Sequence, residues 1–497
     1  MHRRTSLLAL LVSALMIAHP ACALAQLSIR DKVMTYRTVD TDSKEELDRS
    51  RTWESADRTG DVVMTATDYP GGAKMLTECA FANSMNHPAT STRSMLHGPA
   101  GELERSDFDT FNPTFYPFLT QPIGPAVQPL GCLGKEALNL ARLVRGEQVT
   151  FWMWSDSGLI GATLHPASVE TLAIPAGSFE ALPVQIEIDL SKLFPRVPTL
   201  FLKLVRPNLT IWITRTEPYY ILKMTGFGSV NINATKHKHT AIELVSIGQN
   251  TPDESAIRAQ LHQADLAPAD PPLAVVDTGS FVQGDKSGRV VMSTASTAEG
   301  ELMIVHVAFN HLATESRTLI DHRASPPTIY LDDRSYTTGS AMVRRHMFFF
   351  RRAAFPNDSV EELPGDLYGG DMTLGLIMPS LFPDRSDEAR FHVMDFTGEI
   401  TELEIRKEGT ATIALGADEA QAIHAKLIPK VVIPLLLRPL AYFFIPTFDA
   451  YFDPRPPHRL LKFEGPLGPP GAPSAHMQAD KKVPGAIERP RAASANP

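Results

Sequence analysis

The chain has 497 residues, 43% of them hydrophobic and 21% charged, with a formal net charge of −9 at pH 7. This mildly acidic balance argues against a nucleic-acid partner, which selects for clustered basic residues. The length exceeds what one hydrophobic core comfortably supports, so we expect two domains.

Residues 1–25 have the pattern of a secretory signal peptide. Two arginines form a charged start, Leu7 to Ala18 forms a short apolar core, and Ala23-Leu24-Ala25 offers a small-x-small cleavage site. The core is too short to span a bilayer comfortably. Cys22 raises the alternative of lipidation, but the aliphatic residue expected three positions earlier is missing. We therefore expect simple cleavage and export.

The segment 26–249 predicts a first β domain. In DKVMTYRTV and DVVMTATDY, β-branched and aromatic residues stand between polar ones, as in half-buried strands. The pattern does not decide between helix and strand for Asp42 to Trp53. Further along, KEALNLARLV (135–144) has helical spacing, and EQVTFWMW (147–154) is typical of a strand.

The clearest local pattern lies between Val169 and Gly226. A strand runs into the turn Pro175-Ala176-Gly177, in which proline fixes φ and glycine tolerates a positive φ. The chain then returns as a strand, and LTIWIT (209–214) and YYILKM (219–224) follow as two more strands. This predicts a hairpin joined to a strand pair.

The rest of the chain divides into three further parts. Residues 250–275 form a linker, with a short helix from Asp253 to Gln263 that has acidic residues in its first turn. Residues 276–465 form a second, divergent β domain whose last strand is His458 to Gly465. Residues 466–497 are rich in proline and alanine without apolar periodicity, which predicts a disordered tail.

The second domain repeats the order of the first. Gly158 and Thr171 recur as Gly398 and Thr412, at offsets of about 240 residues. The segment LKMTG, which begins at Leu222, recurs as LKFEG. Self-similarity in a shared order is how a duplicated unit is recognised, so we expect a tandem duplication.

The run IPAGSFEALPV, then LTIWIT, then YYILKMTGFGSV resembles the end of the DUF3108 family of exported bacterial proteins. The resemblance covers roughly residues 142–247, and the second copy is more divergent, with no tryptophan at the place of Trp212. It implies a fold of strands and turns and a periplasmic location in a Gram-negative cell. The family has no assigned function, so it implies no site residues.

The mature chain contains two cysteines, Cys79 and Cys132. In an oxidising compartment two thiols of one domain are expected to pair as a disulfide. Two buried free thiols are the alternative. Two cysteines so far apart predict no metal site.

The usual catalytic motifs are missing from the sequence, including the nucleophile elbow, the His-Glu-x-x-His pair and the phosphate-binding loop. We therefore expect no enzyme and no cofactor, although a hydrolase acting on an envelope polymer stays open. The pair His237 and His239 has no third ligand nearby and is interpreted as a solvated strand end.

Two apolar segments, 193–213 and 431–448, lie at equivalent places in the two domains. Their prolines and arginines exclude membrane helices, so the mature chain has no predicted transmembrane span. One interpretation is plain core with paired arginines. The other is an apolar cavity with an arginine at each mouth, and its candidate ligand-binding residues are Arg206, Trp212, Arg438, Tyr442 and Phe444.

A third candidate is MFFF (347–350), which is flanked by arginines on both sides. On a strand, both faces would carry rings and charge, as at an edge that touches lipid or a partner. The alternative is an ordinary strand with one ring face in the core and arginines reaching outward.

Together these patterns predict a mainly β fold of two tandem curved antiparallel sheets or partial β-barrels with a few short helices. The expected function is non-catalytic binding of a lipid-like or other apolar or amphipathic molecule in the periplasm. The alternative is a structural or scaffolding role in envelope assembly, with other envelope proteins as partners.

Overall fold

The structure of the protein is a computed structural model. The structure describes residues 32–56, 60–82, 89–110, 128–129, 132, 138–155, 158–189, 191, 209–226, 240–249, 253–263, 272–284, 286–298, 300–309, 313–321, 328–338, 341–349, 387–394, 400–429, 447–456, 458–466 and 474–480. Within these ranges the fold is mainly β, as predicted, and it contains two short helices. The predicted signal peptide, Cys22 and the histidine pair lie outside them.

The described chain begins with a six-stranded antiparallel meander: β1 (Val33–Asp40), β2 (Glu46–Ala56), β3 (Gly60–Asp68), β4 (Lys74–Ala82), β5 (Ala89–His97) and β6 (Leu103–Asp109). The segment that the sequence left undecided is strand β2. Its Trp53 is fully buried opposite Val33 of β1, so burial of the indole on a pleated surface favours the strand.

The first half continues with β7 (Gln128–Pro129), α1 (Leu140–Val144), β8 (Val149–Ser155), β9 (Gly158–Pro166), β10 (Glu170–Ile174), β11 (Gly177–Asp189), β12 (Leu209–Thr214), β13 (Ile221–Thr225) and β14 (Thr240–Gly248). The predicted hairpin is the β10–β11 pair, and Gly177 has a φ of 131°. β14 pairs with β1, which joins these strands to the meander.

The predicted linker helix is α2 (Glu254–Gln263). Oδ1 of Asp253 accepts hydrogen bonds from the backbone amides of Ser255 and Ala256 and so caps the helix. Leu261 is buried in a cluster with Trp53, whose indole nitrogen donates to Glu254 over 3.0 Å. The helix is therefore docked on the first meander.

The second half contains β15 (Ala274–Gln283), β16 (Lys286–Ser296), β17 (Glu301–Phe309), β18 (Ala313–Asp321), β19 (Thr328–Thr338), β20 (Ala341–Phe349), β21 (Glu388–Met394), β22 (Ile400–Leu415), β23 (Asp418–Pro429), β24 (Phe448–Phe452), β25 (Leu460–Pro466) and β26 (Ser474–Ala479). Strands β15 to β20 form a meander like that of β1 to β6. β26 lies between β15 and β25, as β14 lies between β1 and β13.

Strand β26 corrects the prediction of a disordered tail after residue 465. Its sequence SAHMQA is short and weakly apolar, but it receives backbone hydrogen bonds from strands on both sides. Ala475 is buried and Met477 packs against two core clusters. Pairing on both edges satisfies the backbone, so two apolar residues are enough to hold this strand.

In the described residues the two halves form one sheet of 26 strands that is not closed into a barrel, with antiparallel pairing throughout except between β7 and β8. The two tandem sheets of the prediction are thus joined into one. The halves meet where β6 pairs with β20, from Asp109 opposite Arg344 to Arg105 opposite Phe348. A strand that ended the sheet here would leave a row of backbone groups unpaired. Pairing the last strands of both meanders removes both edges.

Two large hydrophobic clusters occupy equivalent places. In the first half, residues of β1, α1, β8, β9 and β11 to β14 pack together around Leu182 and Ile213. In the second half, β21 to β25 pack around Ile423 and Phe452. The predicted disulfide is present: Cys79 of β4 is bonded to Cys132, with their Cα atoms 6.1 Å apart.

Candidate functional site: a buried polar row at the centre of the sheet

A row of polar side chains crosses the middle of the sheet. Cross-strand partners in consecutive ladders connect, in order, Thr77, Ser94, Asp107, His346, Arg334 and Ser316. Residues directly opposite each other in a ladder share one face of the sheet. We call this set the polar row, and it runs over β4, β5, β6, β20, β19 and β18.

The centre of the polar row is the contact between Asp107 and His346, where the two halves meet. Nδ1 of His346 lies 2.7 Å from Oδ1 of Asp107. Arg105 and Ser94 donate to the other carboxylate oxygen over 2.6 and 3.2 Å. One buried carboxylate is thus held by groups from three strands and both halves.

Arg344 completes this contact. Its Nε donates to Nε2 of His346 over 2.7 Å and lies 3.6 Å from Asp109. Because a guanidinium nitrogen only donates, Nε2 of His346 accepts, and Nδ1 carries the hydrogen that is donated to Asp107. The histidine of an Asp–His pair can act as a general base when its Nε2 faces a nucleophile or water. In this protein Nε2 of His346 faces the guanidinium of Arg344 instead. This arrangement orients the ring for structure rather than proton transfer.

Among the described residues, three buried hydroxyls on the same face have no hydrogen-bond partner within the protein: Oγ1 of Thr77, Oγ of Ser316 and Oγ1 of Thr318. The exposed fractions of these residues are 2%, 1% and 0%. Thr318 lies two residues beyond Ser316 on β18 and therefore faces the same way. Buried hydroxyls normally have partners, so each one left alone needs an explanation.

The polar row gives way to apolar residues in both directions. In the first half it continues through the hydrogen-bonded threonines 65 and 52 to Met34, part of the large cluster there. In the second half Ser316 lies opposite Val305, and Val305 lies opposite Met292. All of these residues are buried. This face is therefore amphipathic across the strands, polar in the middle and apolar on both sides.

The opposite face of the same strands carries a buried ion pair. Nε and Nη2 of Arg345 donate to the two carboxylate oxygens of Asp333 over 2.9 and 2.8 Å. The side chains are 4% and 6% exposed. A bidentate pair in this setting fixes the register of β19 and β20.

This pair settles the place of the MFFF segment. Residues 347–349 lie in β20, which pairs with β6 and β19, so the strand is not an edge. Arg345 is buried against Asp333 and does not reach outward, so the alternative interpretation is wrong for this arginine. The physical reason is the acidic partner on the neighbouring strand, which compensates the buried guanidinium. Phe350, Arg351 and Arg352 lie outside the described residues, and for them both interpretations stay predictions.

Of the predicted ligand-binding residues, the structure describes Trp212. Its indole nitrogen donates to Oε1 of Glu170 over 2.6 Å, and the ammonium of Lys223 lies 6.0 Å from its ring centroid. Trp212 packs at the margin of the first large cluster. The other four residues, Arg206, Arg438, Tyr442 and Phe444, lie outside the described residues, so their roles stay predictions.

The position of Trp212 is filled in the second half by Tyr451. Both residues immediately precede a register shift, opposite Lys223 in one half and Lys462 in the other. Lys462 lies 5.7 Å from the ring centroid of Tyr451. The ring and ammonium pair therefore occurs in both halves, although the aromatic residue differs.

Ion pairs beside these lysines keep neighbouring carboxylates charged. Burial alone would raise the pKa of Glu243, but hydrogen bonds from Lys223 and Arg37 hold the pKa below its usual range. Burial acts in the same sense on Glu464, and hydrogen bonds from Lys462 and His476 hold its pKa low. Both carboxylates are thus committed to ion pairs.

Within the described ranges, no group of three or more His, Cys, Asp or Glu side chains is arranged to hold a metal ion. In the same ranges, no helix has the length and apolar character needed to cross a bilayer. The sequence patterns missed the polar row. The sequence feature that could have indicated the row is the charge of two segments, LERSDFD (103–109) and VRRHM (343–347). The first carries acidic residues and the second basic ones, and such opposite charges favour pairing between two strands.

Comparisons with known proteins add little to these observations. No protein-family model matches the chain, so membership of DUF3108 is not confirmed. No curated protein matches the sequence either. Among solved structures, the chain is similar to a candidate exported protein with a YmcC-like fold from Bacteroides fragilis, with 9% identity and a TM-score of 0.18. The match covers 44% of this chain and 96% of that one, and at this TM-score it carries no argument.

Proposed function

We propose that this protein is an exported, non-catalytic binding protein of the bacterial envelope whose ligand is amphipathic. The observation that carries the proposal is the amphipathic face of the central sheet, where the polar row is bordered by apolar residues on both sides. A ligand with one polar group and an apolar remainder matches that pattern. Binding sites of this kind combine an apolar lining with a few placed polar groups.

Export to an oxidising compartment, the periplasm of a Gram-negative cell, is part of the proposal. The disulfide between Cys79 and Cys132 supports it, because such bonds persist outside the reducing cytosol. The signal-peptide pattern of residues 1–25 supports it independently. Cell fractionation of the natural host, with and without residues 2–25, tests the location directly.

The binding function is tested by native mass spectrometry, with solvent extraction, of the mature protein purified from its own envelope. We expect a co-purifying mass of lipid-like size that organic solvent removes. Variants Arg206→Gln and Arg438→Gln test the predicted mouths, and Arg289→Gln, a surface residue paired with Asp480, is the matched control. A clean apo mass would overturn the binding function and favour the scaffolding role.

A further inference from the structure

Ser316 and Thr318 are unusual among the buried hydroxyls of the sheet. Ser94 donates to Asp107, and Thr52 is hydrogen-bonded to Thr65 over 3.2 Å. Ser316 and Thr318 are similarly buried and, like Thr77, make no such bond within the protein. A buried hydroxyl without a partner lowers stability relative to an apolar side chain of the same shape. A hydroxyl at such a position is favourable only when another group forms a hydrogen bond with it.

The two hydroxyls lie at a boundary. On one side Ser316 is opposite the buried Arg334, and on the other Ser316 and Thr318 are opposite Val305 and Met303. Being two residues apart on a strand, they are separated by about 7 Å. A group bound here would contact two hydroxyls and lie beside an apolar wall. Such a boundary suits a molecule with a polar head and an apolar tail.

The charges nearby indicate what kind of head group fits. Asp107 is paired with Arg105 and His346, and Asp109 with Arg344. These groups neutralise one another, and Arg334, the charged residue directly opposite Ser316, is itself already engaged with another group. The charges nearby therefore offer little to an anionic head group. A hydroxyl both donates and accepts, and two of them match a neutral group that carries hydroxyls of its own.

We propose that Ser316 and Thr318 of β18 form a subsite for the neutral, hydroxylated head group of the ligand. The inference rests on the proposed binding function and assigns its polar end to one strand. The competing explanation is ordered water, which commonly satisfies buried polar groups. The two explanations differ in what happens when a hydroxyl is removed, as in Ser→Ala, or replaced by a methyl group, as in Thr→Val.

The test uses isothermal titration of the mature protein with two amphiphiles of equal chain length, octyl glucoside and octylphosphocholine, below their micelle concentrations. The variants are Ser316→Ala and Thr318→Val, and Thr214→Val is the matched control because Thr214 is buried away from the polar row and its hydroxyl already has partners. We expect wild type to prefer octyl glucoside. Each variant should bind that probe about tenfold more weakly, bind octylphosphocholine unchanged, and keep or raise the thermal midpoint of the free protein.

Each other result counts against the subsite. Variants that keep full affinity for octyl glucoside would show that the head group lies elsewhere, while the binding function would stand. A lower thermal midpoint for free Thr318→Val would show that water already satisfies the hydroxyl. A wild-type protein that binds neither amphiphile would overturn both the subsite and the proposed function.

Discussion

The two halves of the sheet reach the same strand order by different local means. In the first half, β9 and β10 are separate strands that pair with different parts of β11. In the second half a single long strand, β22, covers both pairings and bends at a bulge before Gly409, whose φ is 137°. Glycine permits this conformation at little cost. Both halves therefore change strand direction at this place, although the first half does so with two strands and the second with a bulge.

The outer contacts differ more than the cores. Each half closes its hairpin back onto the last strand: the amide of Ala176 donates to the carbonyl of Leu244, and the side chain of Gln478 donates to the carbonyl of Ala414. The first bond is between backbones and the second comes from a side chain. The comparison teaches that the strand frame and its ring and lysine pairs are shared, while the disulfide and the buried pair of Arg345 with Asp333 each belong to one half. The predictions below test that division.

The largest effect should come from the buried ion pair between β19 and β20, which lies within the second half. Asp333→Ala leaves Arg345 buried without its carboxylate, and we expect the free energy of unfolding to fall by about 3–5 kcal/mol. Urea titration measures it. The double variant Asp333→Leu with Arg345→Met should recover most of the loss, because the pair is replaced by apolar volume. A single variant as stable as wild type would show that the pair does not stabilise the pairing of β19 with β20.

The next effect should be confined to the first half. The disulfide closes a sequence separation of 53 residues, and its loss should destabilise by about 2–4 kcal/mol. Scanning calorimetry with and without reductant measures the shift, and the double variant Cys79→Ala with Cys132→Ala should no longer respond to reductant. If reduction leaves the thermal midpoint of wild type unchanged, the crosslink contributes nothing to stability.

The third prediction is a pH dependence of stability that arises from Asp48 in the first half. Burial raises the pKa of Asp48 to about 6, although Thr38 donates to it over 2.8 Å and partly offsets the shift. The corresponding position of the second meander is Gly288, opposite Phe281. Because the folded state holds the proton more tightly, Asp48 makes stability fall as pH rises from about 4 to about 6.

Asp48→Asn should therefore be more stable than wild type by about 1–2 kcal/mol at pH 7 and no different below pH 4. Thermal melts across this range measure the difference. A variant whose advantage is the same at pH 4 and pH 7 would show that ionisation of Asp48 is not the cause.

The smallest effect should be shared by both halves. Lys223→Met and Lys462→Met each remove an ammonium from beside an aromatic ring and from an ion pair. We expect losses of about 0.5–1 kcal/mol from each variant. Urea titrations of the two variants side by side measure them. A loss in one half only would mean that the recurrence of ring and lysine has no common energetic role.

Much of the fold was predictable because its signals are local. The hairpin turn at Gly177, the helix capped by Asp253 and the pairing of Cys79 with Cys132 follow from residue types and compartment. The junction of β6 with β20 joins residues more than 230 positions apart, and no local pattern specifies such a pairing. β26 was missed because its strand character comes from the strands on either side of it, whereas Ser474–Ala479 alone has little apolar periodicity.

The site was less predictable than the fold. Hydroxyls such as that of Thr318 look like ordinary strand residues in sequence, and only the structure shows which are buried and which have partners. The sequence pointed instead to aromatic and arginine residues in the apolar segments. Of these, Trp212 is engaged by Glu170 and Lys223, which accounts for its place without a ligand.

The central claim is that the polar row faces a bound amphipathic molecule. The most direct test is a high-resolution crystal structure of the mature protein purified from its own envelope without detergent. We predict continuous non-protein density that reaches the hydroxyls of Ser316 and Thr318 and extends along Val305. A row occupied by isolated ordered waters, or by side chains alone, would contradict the claim.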